Sequence, residues 1–365
     1  MGPLKILSLS GDELPRRKVP AVDEVRAMAT ARRMTPKRRF LAGVLGGRMD
    51  RPAVGSVTSV ATVDQMEMTS AFFPDVHSDG RKMARLAAAA FEILGYDNVA
   101  PYFSVVAEAA ALGCEIDWGD AENMPAVRTC PWAVPEDVSI PDNFLEKPPT
   151  HAVLDAIRIL RSDYGNQVAV VGKVMGPWTL AYHMHGIQKF LMETILDPGM
   201  VCGFLDRLKE ITILFARAQI DAGADVICVA DHATGDLVSP QMYRDFLLAR
   251  HKELSERIGC PTVLHICGKT LDRLGSVCES GFDCFHFDSK VDAFAAVREA
   301  AGRISLMGNI NNPEVLLNGT PELVIRQTRY AMEAGVQVIG PECAVPLSTP
   351  LDNLRTIAHV TRGEG

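Results

Sequence analysis

His265 and Cys267 stand two residues apart at the end of an apolar run, Thr-Val-Leu-His-Ile-Cys-Gly-Lys-Thr over 262–270. On an extended strand, residues i and i+2 point to the same face, so this imidazole and thiolate can converge on one ion. A second apolar stretch, 336–343, runs out into Pro-Glu-Cys and offers Cys343 as a third donor. Three protein ligands leave one position open on a tetrahedral zinc, which is how catalytic rather than structural zinc is held. A lone buried Cys or His is core more often than ligand, and this chain has nine of each. What favours a metal is the context: both ligands of the pair close a predicted strand just before Gly268, and Cys343 ends another.

Composition narrows the setting. The net charge of −8 and the scattered basic residues leave no footprint for nucleic acid. The longest apolar runs fall short of the roughly 20 residues a membrane span needs, and no tripartite leader opens the chain. The expectation is a cytoplasmic protein that neither spans a membrane nor binds nucleic acid. The nine cysteines show no regular spacing and no Cys-x-x-Cys pair, which argues against a disulfide framework and suits a reducing compartment. Cys228 and Cys284 alternate into apolar strand candidates and read as small buried hydrophobes.

The elements that must position the donors repeat one unit from residue 52 onward: a β-branched run, a polar turn, then an amphipathic helix. Eight strands are predicted, at 53–59, 98–103, 168–175, 226–231, 262–267, 284–288, 304–308 and 336–340. Helical patterns lie between them, including 80–94, 150–163, 186–196, 200–222, 240–258, 269–280, 291–301, 321–334 and 350–360. Continuous apolar strands alternating with helices imply a parallel sheet covered on its outside, and eight units make an α/β fold of the (β/α)8 TIM-barrel type. Residues 1–50 read as a helical N-terminal lead-in packed on the barrel, with helices at 21–30 and 36–45, and 51–365 as the barrel itself. The stretch 105–149, rich in Pro, Asp and Trp, reads as a lid or binding insert.

Barrel enzymes place their chemistry at the carboxyl ends of the strands. Strand four ends in Asp231 and His232, strand five in His265 and Cys267, and strand six in Asp288. Strand seven ends in Asn309 and strand eight in Cys343. Asp288 is the natural fourth metal group, balanced against a role as a helix N-cap. Asp231 is a candidate to orient His265 through its second ring nitrogen or to bind substrate; Asn309 is a second substrate-binding candidate. His232 and His286 are left out of the site, His286 because its neighbours Phe285 and Phe287 suggest the outer barrel face. A zinc held by two thiolates and one imidazole favours a soft fourth ligand, and an incoming thiol would lose its proton there. That tilts the chemistry toward thiol alkylation. The GxGxxG fingerprint of dehydrogenases and the H-x-E…C-x-x-C signature of deaminases are absent.

At these residues the sequence resembles the methylcobamide:coenzyme M methyltransferases of the uroporphyrinogen decarboxylase superfamily. The resemblance runs from about 35 to 360. It includes His-Ile-Cys-Gly-Lys-Thr at 265–270, Ala-Asp-His-Ala-Thr-Gly-Asp-Leu-Val-Ser-Pro at 230–240, Gly-Pro-Glu-Cys-Ala-Val-Pro-Leu-Ser-Thr-Pro at 340–350, and Ala-Leu-Gly-Cys-Glu-Ile-Asp-Trp-Gly at 111–119. It implies zinc on His265, Cys267 and Cys343, with the family's acidic ligand, usually Glu, replaced by the shorter Asp288. It also implies methyl transfer from a methylcobamide (methylcobalamin-type corrinoid) on a small partner protein to a zinc-bound thiol such as coenzyme M. Other readings stand beside this one. The acceptor can be homocysteine or tetrahydrofolate, or the reaction can run in reverse from a small methyl donor. A porphyrinogen decarboxylase would need arginines for substrate carboxylates in the segment 52–74, which has none. In a non-catalytic scaffold the metal would be structural.

Overall fold

The structure, a computed structural model, describes residues 34–364. The expected helix at 21–30 and the basic residues around it lie outside the described residues. Eight parallel strands form the barrel: β1 (Ala53–Val54), β2 (Asn98–Val99), β3 (Ala169–Met175), β4 (Val226–Ala230), β5 (Thr262–Ile266), β6 (Cys284–Phe287), β7 (Ser305–Ile310) and β8 (Val338–Pro341). They are hydrogen-bonded in the order β1-β8-β7-β6-β5-β4-β3-β2, every pairing parallel. Every residue of β3, β4, β5, β6 and β8 is buried, as expected of strands with side chains inside the barrel and helices outside it. The (β/α)8 barrel read from the sequence is the fold observed.

The seam between β1 and β2 is closed by side chains. Asp97 accepts from the Val54 N–H at 2.9 Å, and its own N–H donates to the Val54 carbonyl at 2.7 Å. Asn98 accepts from the Ser56 N–H at 3.0 Å and donates to the Ser56 carbonyl at 2.7 Å. Gly55 is required here, because a Cβ on it would meet the Asn98 side-chain oxygen at 2.1 Å. β1 and β2 are consequently shorter than the predicted runs 53–59 and 98–103.

Helix Pro36–Val44 plugs the amino-terminal end of the barrel. Thr35 caps it by accepting from the Arg38 N–H, Pro36 occupies its first turn, and Phe40 and Val44 are fully buried. Both belong to one interior cluster with Ala53, Val171, Val226, Cys228, Val263, Cys284, Met307 and Val338. Cys228 and Cys284 are the small interior hydrophobes the alternation suggested. Arg39 locks the plug to the seam through Asp97 at 2.8 Å.

Two helices differ from the sequence expectation. Pro177–His185 follows β3 directly and was not foreseen; eight of its nine residues are buried, so it has no polar face to give it a 3.6-residue signature. The run 269–280 contains only a 3-10 turn and the short helix Leu274–Cys278. The insert 105–149 carries structure of its own, with helix Ala107–Ala111 and an antiparallel pair of two-residue strands, Ile116–Asp117 with Ala126–Val127. A groove of about 420 Å³ runs beside it, lined by His77, Cys114, Ile116 and Trp118 among others.

Candidate metal centre

His265 is a buried residue on β5, and Cys267 follows one residue past the strand's end. Cys343 lies two residues beyond β8. The barrel brings the three donors together: Cys267 Sγ is 3.1 Å from His265 Nε2 and 3.3 Å from Cys343 Sγ, and Cys343 Sγ is 3.4 Å from His265 Nε2. Among the described residues this is the one group of three or more His, Cys, Asp or Glu side chains able to share an ion. Tetrahedral zinc with Zn–S of about 2.3 Å and Zn–N of about 2.0–2.1 Å needs donor separations of about 3.5–3.8 Å. The triangle is a few tenths of an ångström tighter than that, so a small outward relaxation fits it to zinc, and its imidazole-dithiolate composition suits that metal. All nine cysteines are free thiols.

Local hydrogen bonds prepare these donors. His265 Nδ1 faces the His286 carbonyl at 3.3 Å; donating there leaves the Nε2 lone pair for the metal. The hydrogen bond from Cys267, aided by the nearby His265, holds the Cys343 thiol well below its ordinary range, while the same partnership raises Cys267. Gly268 turns the chain at φ +82°, a left-handed conformation that glycine adopts without a Cβ penalty, and presents its N–H to the loop after β6.

Asp288 receives that N–H at 2.8 Å and the Lys290 N–H at 2.9 Å. Its carboxylate ties the turn after Cys267 to the end of β6 and lies outside the donor triangle. It does not cap the following helix, Ala293–Ala300, whose N-cap is Asp292. Glu342, which the sequence reading passed over, does the matching work beside Cys343 by accepting from Ser289 N at 3.0 Å and Asn312 N at 2.8 Å. Burial raises its carboxyl. Asn309 donates to the Val291 carbonyl at 2.9 Å.

Two expectations are corrected. Asp231 does not orient His265: it is fully buried and accepts from Thr179 N at 2.7 Å and Thr179 Oγ1 at 3.0 Å, with His251 Nε2 at 3.1 Å. It fixes helix Pro177–His185 and His251 instead. His286 is not on the outer face. It is the register partner of His265, fully buried, and its ring lies 4.5 Å from that of His265. Its Nε2 donates to the Pro341 carbonyl at 2.8 Å, and burial pushes its pKa down to about 3, which keeps the ring neutral. Strand parity carried the signal, since His286 is two residues from the interior Cys284.

Lys173 was also missed. It sits on β3, two residues past the interior Val171, and is 3 % exposed. Its Nζ lies 4.7 Å over the Tyr102 ring, and burial lowers its pKa to about 8. Nearby, the fully buried Glu108 accepts from Tyr102 Oη and from Met175 N at 2.9 Å. His77 is 3 % exposed and packs between Phe73 and Trp118 at ring separations of 4.4 and 5.8 Å. A lysine within an otherwise apolar strand was the available signal for Lys173.

Comparison with known proteins agrees with this architecture. The family model described as uroporphyrinogen decarboxylase (URO-D) matches residues 35–363. A methylated-thiol–coenzyme M methyltransferase of Methanosarcina mazei is 35 % identical over 330 residues, covering 90 % of this chain and 89 % of its own length. The methylcobamide:CoM methyltransferase MtaA of Methanosarcina barkeri is 34 % identical over 326 residues, 88 % of this chain and 96 % of its own. A solved methyltransferase structure from Methanosarcina mazei superimposes with a TM-score of 0.88 at 31 % identity, covering 90 % of this chain and 99 % of that one. Among the described residues no helix is long and apolar enough to cross a membrane.

Proposed function

Because the chain belongs to the uroporphyrinogen decarboxylase family, within its methylcobamide:coenzyme M methyltransferase branch, we propose that it is a zinc-dependent methyltransferase moving a methyl group from a protein-bound methylcorrinoid to a thiol such as coenzyme M. The observation that carries this reading is the convergence of His265 Nε2, Cys267 Sγ and Cys343 Sγ within 3.4 Å of one another at the carboxyl ends of β5 and β8. Zinc bound by these three donors would supply an open coordination position at which a thiol is held as thiolate at neutral pH.

The chain's own groups do the rest. The His286 carbonyl fixes the His265 tautomer, and the His286 ring bonds the Pro341 carbonyl beside Cys343, so both ligand-bearing strands share one anchor. Asp288 and Glu342 hold the loops on either side by accepting backbone N–H groups. In this reading a corrinoid-binding partner would present its methyl group at the barrel mouth in line with the thiolate, the methyl–cobalt electron pair staying with cobalt as the sulfur–methyl bond forms.

A second reading has one specific support: the relative in Methanosarcina mazei is named for a methylated thiol. The same site would then take methyl from a small methylated thiol and deliver it to the corrinoid. Zinc content measured alongside loss of the methylcobalamin spectrum, with coenzyme M, homocysteine and tetrahydrofolate offered separately, tests both. Turnover with one thiol and one zinc per chain supports the first reading. Zinc without turnover for any acceptor, together with methylation of a Co(I) corrinoid by a methylated thiol, supports the second. Turnover undiminished after zinc removal overturns both.

A further inference from the structure

His185 faces an acceptor at each of its ring nitrogens. It is the last residue of helix Pro177–His185, and its side chain is wholly buried. Nδ1 lies 2.9 Å from the Trp132 carbonyl oxygen, and Nε2 lies 2.7 Å from a carboxylate oxygen of Glu193 on helix Ile187–Leu196. A carbonyl oxygen only accepts, so Nδ1 carries a proton; an ionised carboxylate only accepts, so a proton also lies between Nε2 and Glu193. A neutral imidazole has a single N–H to give. The pair therefore holds one proton more than a neutral histidine beside a carboxylate would hold, and the carbonyl end of the helix favours a cation at this place. The other ring neighbours of His185 among the described residues are Phe204 at 4.7 Å, on helix Pro198–Ala222, and Phe190 at 6.5 Å. Glu193 is thus the one ionisable group bonded to the ring; on its own helix, His183 is felt by His232 instead. The Glu193 side chain is 13 % exposed, which lets the pair exchange its proton with solvent.

We propose that the His185–Glu193 pair is a proton-dependent latch: with its extra proton it pins the Trp132 segment of the insert 105–149 to helices Pro177–His185 and Ile187–Leu196, and loss of that proton to solvent base releases the segment. The seat it controls is otherwise light. The Trp132 N–H donates to the Met184 carbonyl at 2.9 Å, and the Cys114 thiol faces the His183 carbonyl at 3.6 Å. Once the extra proton leaves, one ring nitrogen turns a lone pair toward an acceptor oxygen. Bonds to a charged acceptor are roughly twice as strong as neutral ones, so the remaining N–H stays with Glu193 and the Trp132 carbonyl loses its donor. Beside the latch lies a cleft of about 620 Å³ between the insert and the two helices, lined by Val127, Cys130, Tyr182, His183 and Ile187 among others. Release of Trp132 widens this cleft. The latch shares no residue with the donor triangle, and its test needs neither thiol nor methyl donor.

Hydrogen exchange of the zinc-loaded full chain, read by mass spectrometry and corrected for base-catalysed exchange, tests this. The probe is the peptide around Trp132, compared at about pH 6 and about pH 9.5, on either side of the range in which a histidine pair sheds its proton. Its protection factor is expected to be on the order of tenfold to a hundredfold lower at the higher pH, while a peptide over β3 keeps its protection. Glu193→Gln is the discriminating variant. Its amide N–H can donate to an unprotonated Nε2 while the Nδ1 proton stays on Trp132, so the segment should be protected at both pH values and the ratio should fall close to one. His185→Phe should leave the segment as open at about pH 6 as wild type is at about pH 9.5. A wild-type ratio near one, an equal loss of protection over β3, or a Glu193→Gln ratio equal to that of wild type would each overturn the latch. The wild-type ratio decides even where His185→Phe does not fold.

Discussion

The imidazoles of His265 and His286 lie with ring centroids 4.5 Å apart on neighbouring strands, and the backbone carbonyl of His286 faces Nδ1 of the ring its own side chain packs against. The one ring hydrogen bond of His286 goes to Pro341, two strands further on and two residues before Cys343. One residue therefore sets the relative position of two metal donors. Groups behind metal ligands typically change affinity about tenfold to a hundredfold when removed. His286→Ala should weaken zinc by that factor in a chelator competition assay while leaving one zinc site per chain. An unchanged zinc affinity would show that the barrel backbone alone positions Cys343.

Removing a donor has a larger effect. Cys267→Ala and Cys343→Ala each leave two protein ligands, so both should lose zinc after gel filtration and lose methyl transfer together. The fold should survive, because both sulfurs lie past strand ends rather than in the interior cluster. Retained transfer in a zinc-free variant would sink the proposed chemistry.

Asp231 and His251 form a pair with both side chains fully buried. Breaking a buried pair leaves an uncompensated polar group and costs about 3–5 kcal/mol. Asp231→Ala should therefore lower unfolding stability by roughly that amount in urea titrations. Zinc affinity of the folded fraction should stay within about threefold, since the Asp231 carboxylate bonds Thr179 and His251 rather than the His265 ring. A selective fall in zinc affinity would restore the idea that Asp231 orients the ligand.

Lys173 carries a pH signature in stability. Its folded pKa is lowered to about 8, below the unfolded value near 10.4, so between those values the unfolded chain binds more protons. Stability contributed by this group rises with pH across that window, and below pH 8 the buried charge costs on the order of 3 kcal/mol. Lys173→Met should accordingly be more stable than wild type at pH 7, and the difference should shrink by pH 10. Equal stability of the two proteins at both pH values would show that Lys173 is not held in a desolvated site.

His77 and His286 act with the same sign as Lys173 but at the acid end of the pH scale. Burial lowers them to about 4 and about 3, so acidification from pH 6.5 protonates the unfolded chain first and removes stability progressively. The zinc-free protein should lose stability steeply between pH 6.5 and 4, and His77→Phe should flatten that slope. An unaltered acid limb in His77→Phe would locate the effect elsewhere.

The sequence by itself determined the barrel and the identity of the converging donors. Eight apolar runs alternating with helices admit few closed arrangements, and a period of two places His265 and Cys267 on one side of their strand. Both properties are local, and both are written in residue order. What only the tertiary structure decided was the company each side chain keeps. Asp231 ends the strand next to that of His265 in the sequence pattern, yet its carboxylate bonds Thr179 and His251, which no spacing rule connects to it. Helix Pro177–His185 escaped because burial all round erases the amphipathic stripe. Lys173 and His77, 96 positions apart, come within electrostatic reach only through the closure of the barrel. Periodicity reports which way a side chain points from its own backbone; the partner it meets depends on the register and closure of strands far apart in the chain.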